Sequence, residues 1–322
     1  IDTVDVIDEA QWTHGPFSGE IADGKIYGRG ASDMKGSDCA MVMAAGRFAA
    51  QTKKDFAGTI CVSGTVHEEC FEGVAPREVT KRVKPDFVIV GEATSTSIKI
   101  GQRGRAEVVV ETEGVSCHSS NPEKGVNAVY GMMAVIEEIR KIVPNEHPLL
   151  GRGILELTDI VSAPYPGASV VPAACRATFD RRTLVGEDEA VILGQVEEAI
   201  VRAQEKHPEI KARCYLATGT EACWTGDTIS AKRYFPAWVV DESSELVVKA
   251  RRGLEAAGID APLSHFSFCT NGSHFCGEAG IPTIGYGPSL ESLAHVRDEY
   301  IEISQLTKAC RGFASILAEL TR

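Results

Sequence analysis

The sequence lacks three features that would place it in large classes of protein. No stretch of its 322 residues approaches the ~18 uninterrupted apolar residues of a membrane-spanning helix. Basic charge is not in excess, because 45 Asp and Glu outweigh 33 Lys and Arg and give a net charge of −12. None of the ten cysteines forms a CxxC pair. Because of the acidic charge and the lack of a long apolar stretch, we expect neither nucleic acid nor a membrane as partner. Because no cysteine pair is evident, we expect reduced thiols in a cytoplasmic protein.

What is present is the composition of a globular protein, with 43% hydrophobic and 24% charged residues. At about 150 residues per domain, the length suggests two domains. Strand-like and helical segments alternate, which predicts an α/β fold with a mixed sheet and helices on both faces. The segments are helices at 37–52, 74–83, 242–257, 271–279 and 303–321, and strands at 58–66, 86–90, 262–267 and 281–286.

The middle of the chain follows a different order of elements. The pattern predicts strands at 105–112, 153–161, 173–181 and 209–216, and helices at 125–142 and 187–206. This β-α-β-β-α-β order is that of a ferredoxin-like domain. The predicted boundaries are 1–101 for the first part of the α/β domain, 102–216 for the insertion and 217–322 for the second part. Residues 217–241 look irregular.

Carboxylates follow several of the predicted strands. Glu68 and Glu69 end the strand 58–66, and Glu92 ends the strand 86–90. Asp33 lies in the glycine-flanked loop GRGASDMKG, and His295 lies beyond the strand 281–286. Ligands of open α/β sheets bind at the carboxyl ends of strands, so these side chains are expected to converge.

A cluster of this kind indicates divalent cations. Carboxylates repel one another, and oxygen ligands with histidine suit Zn²⁺, Co²⁺ or Mn²⁺. Two metals ~3.5–4 Å apart that share a carboxylate form a common hydrolytic centre. Taken singly, a Glu-Glu pair is usually a solvated strand end and a loop histidine is usually a surface residue. Their order along the chain favours the metal site.

The motifs IDTV, GRGASDMKG, HEE, GEAT, GxxxHSS and GPSLESLAHVRDEY together resemble the co-catalytic metallopeptidase family of aminoacylases. That family includes acetylornithine deacetylase, succinyl-diaminopimelate desuccinylase and glutamate carboxypeptidase. The resemblance covers essentially the whole chain. The stretches YFPAW and FCTNGSHFCGEAGIPTIGYGP are most similar to a bacterial branch of peptidase-like hydrolases associated with selenium metabolism, whose substrates are poorly defined.

The resemblance implies a role for each motif of the first domain. Two divalent ions, most simply Zn²⁺ with Co²⁺ or Mn²⁺ as alternatives, would be bound. Their implied ligands are Asp33 as the bridge, Glu69 and His295 at one ion, and Glu92 at the other. Glu68 would be the general base, and Asp2 would orient a metal-binding histidine.

The insertion resembles the family's lid, which also forms its dimer interface, so a homodimer is expected. There, His118 would reach the partner's site and stabilise an oxyanion, and Arg182 would pair with the substrate carboxylate. The structural alternatives are a histidine that caps Ser119 or Ser120 and an arginine in a strand-edge salt bridge. The implied binders of the substrate's carboxylate end are Thr270, Asn271 and Gly272.

Two departures from the family pattern matter. Members usually start the site with His-x-Asp, but Ile1 is the first residue of this chain. We therefore expect a histidine just before Ile1, on an N-terminal segment that precedes this sequence. Ser169 also stands where many members have Asn, so the substrate class cannot be copied from the family.

The leading hypothesis is a metal-dependent amidohydrolase that cleaves an N-acyl amino acid or a dipeptide, with Glu68 as general acid and base. The alternative is a non-catalytic, ligand-binding homologue, since the first ligand histidine is absent from the sequence. A cysteine hydrolase using Cys117 and His118 is disfavoured, because adjacent residues on an extended segment point opposite ways. A nucleotide site at GRGAS lacks the full glycine fingerprint.

Overall fold

The computed structural model describes residues 2–322, so Ile1 and the histidine expected before it lie outside the described residues. The chain divides into two compact units. Unit 1 comprises Ile1–Gln102 and Trp238–Arg322, and unit 2 comprises Arg103–Ala237. Among the helices of residues 2–322, none combines the length and the apolar character needed to cross a bilayer.

Both units contain helices and strands. The helices are α1 (Gly36–Gln51), α2 (Pro76–Val83), α3 (Ala128–Ile139), α4 (Glu189–Lys206), α5 (Glu245–Ala256) and α6 (Ile303–Leu320). The strands are β1 (Ile21–Ala22), β2 (Lys25–Tyr27), β3 (Val88–Val90), β4 (Ile98–Gln102), β5 (Gly104–Glu113), β6 (Glu146–His147), β7 (Gly151–Arg152), β8 (Ile154–Ala163), β9 (Ala174–Thr183), β10 (Lys211–Leu216), β11 (Thr218–Ala222), β12 (Thr228–Lys232), β13 (Tyr234–Phe235), β14 (Trp238–Val239), β15 (Leu263–Phe266), β16 (Thr283–Gly285) and β17 (Tyr300–Glu302). Short helical turns cover Glu9–Gln11, Ala31–Lys35, Pro122–Lys124, Ser273–Glu278 and Glu291–Leu293.

Unit 1 is built on a mixed sheet in the order β14-β4-β16-β3, with β15 also paired to β4. The pair β16–β3 is parallel, so the carboxyl ends of both strands reach the same edge. Helix α1 packs on α6, which also packs on α5. Each helix buries apolar residues three or four apart, such as Ala40 and Ala44 in α1 and Phe313 and Ile316 in α6.

The prediction of a strand at 58–66 is wrong. Residues 59–65 carry no strand pairing in the described chain, and Cys61 is exposed rather than buried. Strand β3 pairs with β16, and a cavity of about 1020 Å³ is lined by residues 57–65 together with β3. Residues such as Ile60 and Val62 favour a strand only when a neighbouring strand packs against them. Within residues 2–322, no strand pairs with this apolar segment.

Unit 2 has the predicted β-α-β-β-α-β order, formed by β5, α3, β8, β9, α4 and β10. The antiparallel sheet runs β10-β5-β9-β8. Strand β5 alternates, because Ala106, Val108 and Val110 are buried in the core that α3 and α4 share, whereas Arg105 and Glu107 are only half-buried. The chain is therefore an α/β protein with an inserted ferredoxin-like unit.

The predicted boundary at residue 216 requires a correction. Residues 217–237 belong to unit 2 rather than to the second part of the α/β domain. Strands β11 and β12 form a hairpin, and β13 pairs with β5 through Phe235 opposite Arg105. The Tyr234 hydroxyl also donates to the Glu187 carbonyl at 3.0 Å. Gly219, Gly226 and Trp224 give this stretch an irregular pattern, although its ends complete the sheet.

Candidate metal centre

The turn that carries Asp33 is held from beneath by a buried carboxylate. Glu299, which is completely buried, accepts the backbone N–H groups of Gly30, Ser32 and Asp33 at 2.9, 2.8 and 3.0 Å. Arg29 donates its Nη1 to the same carboxylate at 2.7 Å. Gly30 takes a φ of 76°, which favours glycine at that position. The backbone around Asp33 is thus fixed before α1 begins.

Asp33, Glu69 and His295 meet at one point. The Nε2 of His295 lies 3.2 Å from Oδ2 of Asp33 and 3.1 Å from Oε2 of Glu69. One ligand atom from each of the three residues lies within 4.8 Å of the others. His295 is half exposed, at 51%, whereas the two carboxylates are 18% and 17% exposed. The point is therefore open to solvent on the histidine side.

Glu92 approaches Asp33 from the end of β3. Because β16 pairs with β3 in parallel, Gly287 runs directly beside this strand end, and Gly287 and Thr94 exchange hydrogen bonds of 3.0 Å. Glu92 is buried. Burial raises the pKa of its carboxyl well above the usual range, and the charge of Asp33 and a hydrogen bond with it raise the pKa further.

Glu68 has a carboxylate oxygen that is buried and makes no hydrogen bond within residues 2–322. Its pKa is raised well above the usual range, first by burial and then by the charges of neighbouring carboxylates. Those neighbours are Glu92, Glu72, Glu69 and Asp33. The Glu68 carboxylate therefore lies in a strongly negative environment, and its Oε1 has no hydrogen-bond partner among the described residues.

Asp2 holds the backbone of the Glu68–Glu69 turn. Its Oδ1 accepts the N–H of Glu68 at 3.1 Å, and its Oδ2 accepts that of Glu69 at 3.3 Å. These contacts place Asp2 beside the cluster of Asp33, Glu69 and His295. The expected contact with a ligand histidine involves a residue before Ile1 and lies outside the described residues.

The donor set of the cluster fits divalent cations. Hydrogen bonds to Asp33 and then to Glu69 raise the pKa of His295 to about 10, although burial acts in the opposite direction. The raised pKa values of the histidine and of the buried carboxyls thus reflect the crowded negative charge. Metal cations can compensate this charge, since carboxylate oxygens with imidazole are ligands for Zn²⁺, Co²⁺ and Mn²⁺.

The residues expected to bind the substrate's carboxylate end have side chains that are already engaged in unit 1. The Thr270 hydroxyl donates to Oε1 of Gln102 at 2.6 Å and accepts the N–H of Gly272 at 3.0 Å. Asn271 accepts the N–H of Gly73 at 2.9 Å through Oδ1 and donates to the Thr65 hydroxyl at 3.0 Å through Nδ2. Their role towards substrate stays a prediction.

His118 and Arg182 lie in unit 2. The Nδ1 of His118 accepts the N–H of Ser120 at 3.1 Å, so in the neutral ring Nε2 carries the proton and can donate. His118 is exposed. Arg182 donates its Nε to Oδ2 of Asp180 at 2.8 Å, on a sheet face where a cavity of about 600 Å³ lies. The contacts are those of the structural alternatives, and the functional roles of both residues remain predictions.

Two buried carboxylates of the site are not singled out by the sequence. Glu72 contributes to the raised pKa of Glu68, and Glu299 holds the Asp33 turn. Glu299 follows His295 by four residues in the same motif, which is the only signal that the sequence offers for it. No periodicity or spacing indicates that its side chain points back to a turn near residue 30.

A family model matches nearly the whole chain. The model described as Peptidase family M20/M25/M40 matches residues 1–319. A protein of Escherichia coli strain K12 named Uncharacterized protein YgeY is 32% identical over 321 residues, which is 98% of this chain and 78% of that protein. A succinyl-diaminopimelate desuccinylase of Cereibacter sphaeroides strain ATCC 17025 is 29% identical over 318 residues, with 95% and 77% covered.

A solved structure shares the fold. The crystal structure of aminopeptidase PepT from Bacillus cereus superposes with a TM-score of 0.71 at 18% identity. The match covers 94% of this chain and 76% of PepT.

Proposed function

We propose that this chain, which belongs to the M20/M25/M40 peptidase family, is a metal-dependent amidohydrolase that cleaves an N-acyl amino acid or a dipeptide. Family membership makes it a hydrolase related to peptidases and desuccinylases. The observation that carries the proposal is the convergence of Asp33, Glu69 and His295 on one point, with the buried carboxyl of Glu92 close to Asp33. The name of the desuccinylase relative supports an N-acyl substrate.

The residues present would hold two divalent ions. Glu69 and His295 would bind one ion, Glu92 would bind the other, and Asp33, which contacts both groups, would bridge them. Zn²⁺ is the proposed metal, and Co²⁺ or Mn²⁺ would fit the same ligands. When bound, such ions polarise a carbonyl and acidify water.

Glu68 is the proposed general base and acid. Its buried oxygen has no other partner in the described chain, and Asp2 fixes the turn that carries it. A carboxylate with an unpaired oxygen beside the ions can take a proton from water and deliver it to the leaving amine. Because the proton leaves with the amine product, Glu68 is regenerated after each turnover.

The remaining residues would bind substrate, and they belong to the proposal as well. His118 would donate from Nε2 to the oxyanion, and Arg182 would pair with the substrate carboxylate. Thr270, Asn271 and Gly272 would lie near the carboxylate end of the substrate. A homodimer in the cytoplasm is the expected form of the protein.

The test is hydrolysis of a panel of N-acetyl amino acids, N-succinyl amino acids and dipeptides, with Zn²⁺, Co²⁺ and Mn²⁺ in turn. We expect amine release with metal and a loss of about 10²–10⁴-fold in kcat for Glu68→Gln, with metal content unchanged. A folded protein that neither binds metal nor hydrolyses the panel would contradict the proposal and favour the non-catalytic homologue. Activity that resists chelators and is abolished by iodoacetamide would instead indicate Cys117.

A further inference from the structure

Glu299 concentrates four hydrogen-bond donors on one buried carboxylate. Its Oε2 accepts Nη1 of Arg29 and the N–H of Gly30, and its Oε1 accepts the N–H groups of Ser32 and Asp33. The side chain has no exposed surface. Hydrogen bonds to an ionised acceptor are shorter and stronger than neutral ones, so this carboxylate is a rigid anchor.

The donors on this anchor are the amides at and just before Asp33. The Asp33 N–H is one of them, so the peptide plane that determines where the Asp33 side chain starts is fixed by Glu299. Glu299 contacts the backbone of Asp33 and not its carboxylate. The carboxylate is therefore free to approach His295, whose Nε2 lies 3.2 Å from Oδ2 of Asp33.

The anchor is itself tied to the segment that carries His295. Glu299 lies four residues after His295 and directly before β17, which pairs with β2 through Tyr300 opposite Tyr27. Its carbonyl accepts the N–H of Gly28 at 2.9 Å. Two proposed ligands that are far apart in sequence therefore share one support.

We propose that Glu299 is the positioning residue of the metal centre, which sets the Asp33 carboxylate in register with His295. This inference rests on the proposed function and deepens it, because it assigns the geometry of the bridging ligand to a residue that touches neither metal nor substrate. Outer carboxylates of this kind typically change metal affinity by about 10–100-fold when they are altered.

The competing explanation is that Arg29–Glu299 is only a buried ion pair that stabilises the fold. Unit 2 offers a matched comparison. Glu187 is also buried, and it accepts Nη2 of Arg181 at 2.9 Å, the N–H of Leu184 at 2.9 Å and Nδ2 of Asn145 at 3.0 Å. It thus makes the same kinds of contact without serving the cluster of Asp33.

The experiment compares Glu299→Gln with Glu187→Gln in the full chain. A glutamine places an NH₂ group against donors, so Glu299→Gln loses two hydrogen bonds whichever way the amide points, and Glu187→Gln loses at least the bond from Leu184 or the two from Arg181 and Asn145. Zn²⁺ affinity is measured by competition with a chromophoric chelator, and the absorption spectrum of bound Co²⁺ is recorded. Both measurements are made well below the unfolding temperature of each variant, as determined by circular dichroism.

We expect Glu299→Gln to lower metal affinity about 10–100-fold and to alter the Co²⁺ spectrum. Glu187→Gln should lose thermal stability while its metal affinity stays within about twofold of wild type. Should Glu299→Gln fail to fold, Glu299→Asp keeps the charge, withdraws the acceptors by one methylene and should show the same loss. Wild-type metal affinity in the folded Glu299 variant would overturn the inference. A wild-type chain that binds no metal would overturn the proposed function itself.

Discussion

At the scale of single residues, the site consists of a few reactive side chains and a larger number that hold them. Asn271 is an example of the second kind, although the resemblance implies that it binds substrate. Its amide bonds to Thr65 and to Gly73, which lie on either side of the Glu68–Glu69 turn. The position of Glu68, the proposed general base, therefore depends on a side chain from the other part of unit 1.

We expect Asn271→Ala to lower kcat about tenfold, because the turn that carries Glu68 loses its support, and to raise KM as well, because the proposed contact with the substrate is removed. Steady-state kinetics on the best substrate of the panel will separate the two constants. Ser267→Ala, which removes an exposed hydroxyl bonded to Glu291, serves as a nearby control. A large rise in KM at constant kcat would show that Asn271 binds substrate without supporting the turn.

At the scale of elements, α2 is attached to the turn Ser273–Glu278 by a compact polar network. Glu278 accepts two hydrogen bonds from Arg77, at 3.0 and 2.6 Å, and shares one of 2.7 Å with Nδ1 of His274. The other nitrogen of His274 lies 3.0 Å from the Thr80 hydroxyl. Burial acts to raise the pKa of Glu278, but the bonds from His274 and Arg77 outweigh it and lower the pKa to about 2.

This depressed pKa predicts a defined loss of stability in acid. The contribution of Glu278 is fully present above the ordinary pKa of 4.5 and disappears as the pH falls towards 2. We expect Glu278→Gln to cost about 1–3 kcal/mol of unfolding free energy at pH 6 and less at pH 3. Urea unfolding at both values measures it. The exposed pair Glu78–Lys81 on α2 is the control, since Glu78→Gln should change little at either pH. A cost independent of pH would refute the assignment.

The sequence predicts those elements that depend on local periodicity. Helix α1, strand β3 and the order of unit 2 follow directly from apolar periodicity. The prediction of a strand at 58–66 is wrong because a strand needs a neighbour to pair with, and none pairs with this segment within residues 2–322. The predicted boundary at 216 is wrong because the pairing of 234–235 with β5 is a long-range contact, which periodicity does not reveal. The same holds for the site: motif order predicts Asp33, Glu69, Glu92 and His295, whereas the direction of the Glu299 side chain depends on the folded turn.

At the scale of the whole molecule, unit 2 is a continuous segment with its own core, and its ends meet. An added Cβ on Gly104 would lie 2.5 Å from the backbone nitrogen of Ala237. We expect residues 103–237 expressed alone to unfold cooperatively, as judged by circular dichroism during heating. Deleting 217–237 from that segment should weaken it, because β13 and the Tyr234 hydroxyl bond are removed. An isolated segment without a thermal transition would disprove the prediction.

Divalent metal should stabilise the full chain but not the isolated unit 2, since the clustered ligands all lie in unit 1. At free Zn²⁺ about 100-fold above its dissociation constant, the gain is about 2.7 kcal/mol. Calorimetry with and without a chelator measures the shift in the unfolding midpoint. An equal shift in both proteins would point to adventitious binding.

The entry and exit of the inserted unit have a consequence for how such a chain can be rebuilt. Gln102 and Trp238, the residues that flank the insertion, face each other directly as partners in β4 and β14. A two-residue turn between them would convert the two strands into an ordinary β-hairpin. The sheet of unit 1 would then keep its pairing of β4 with β14 in the absence of unit 2. A domain of another origin could be inserted at the same point.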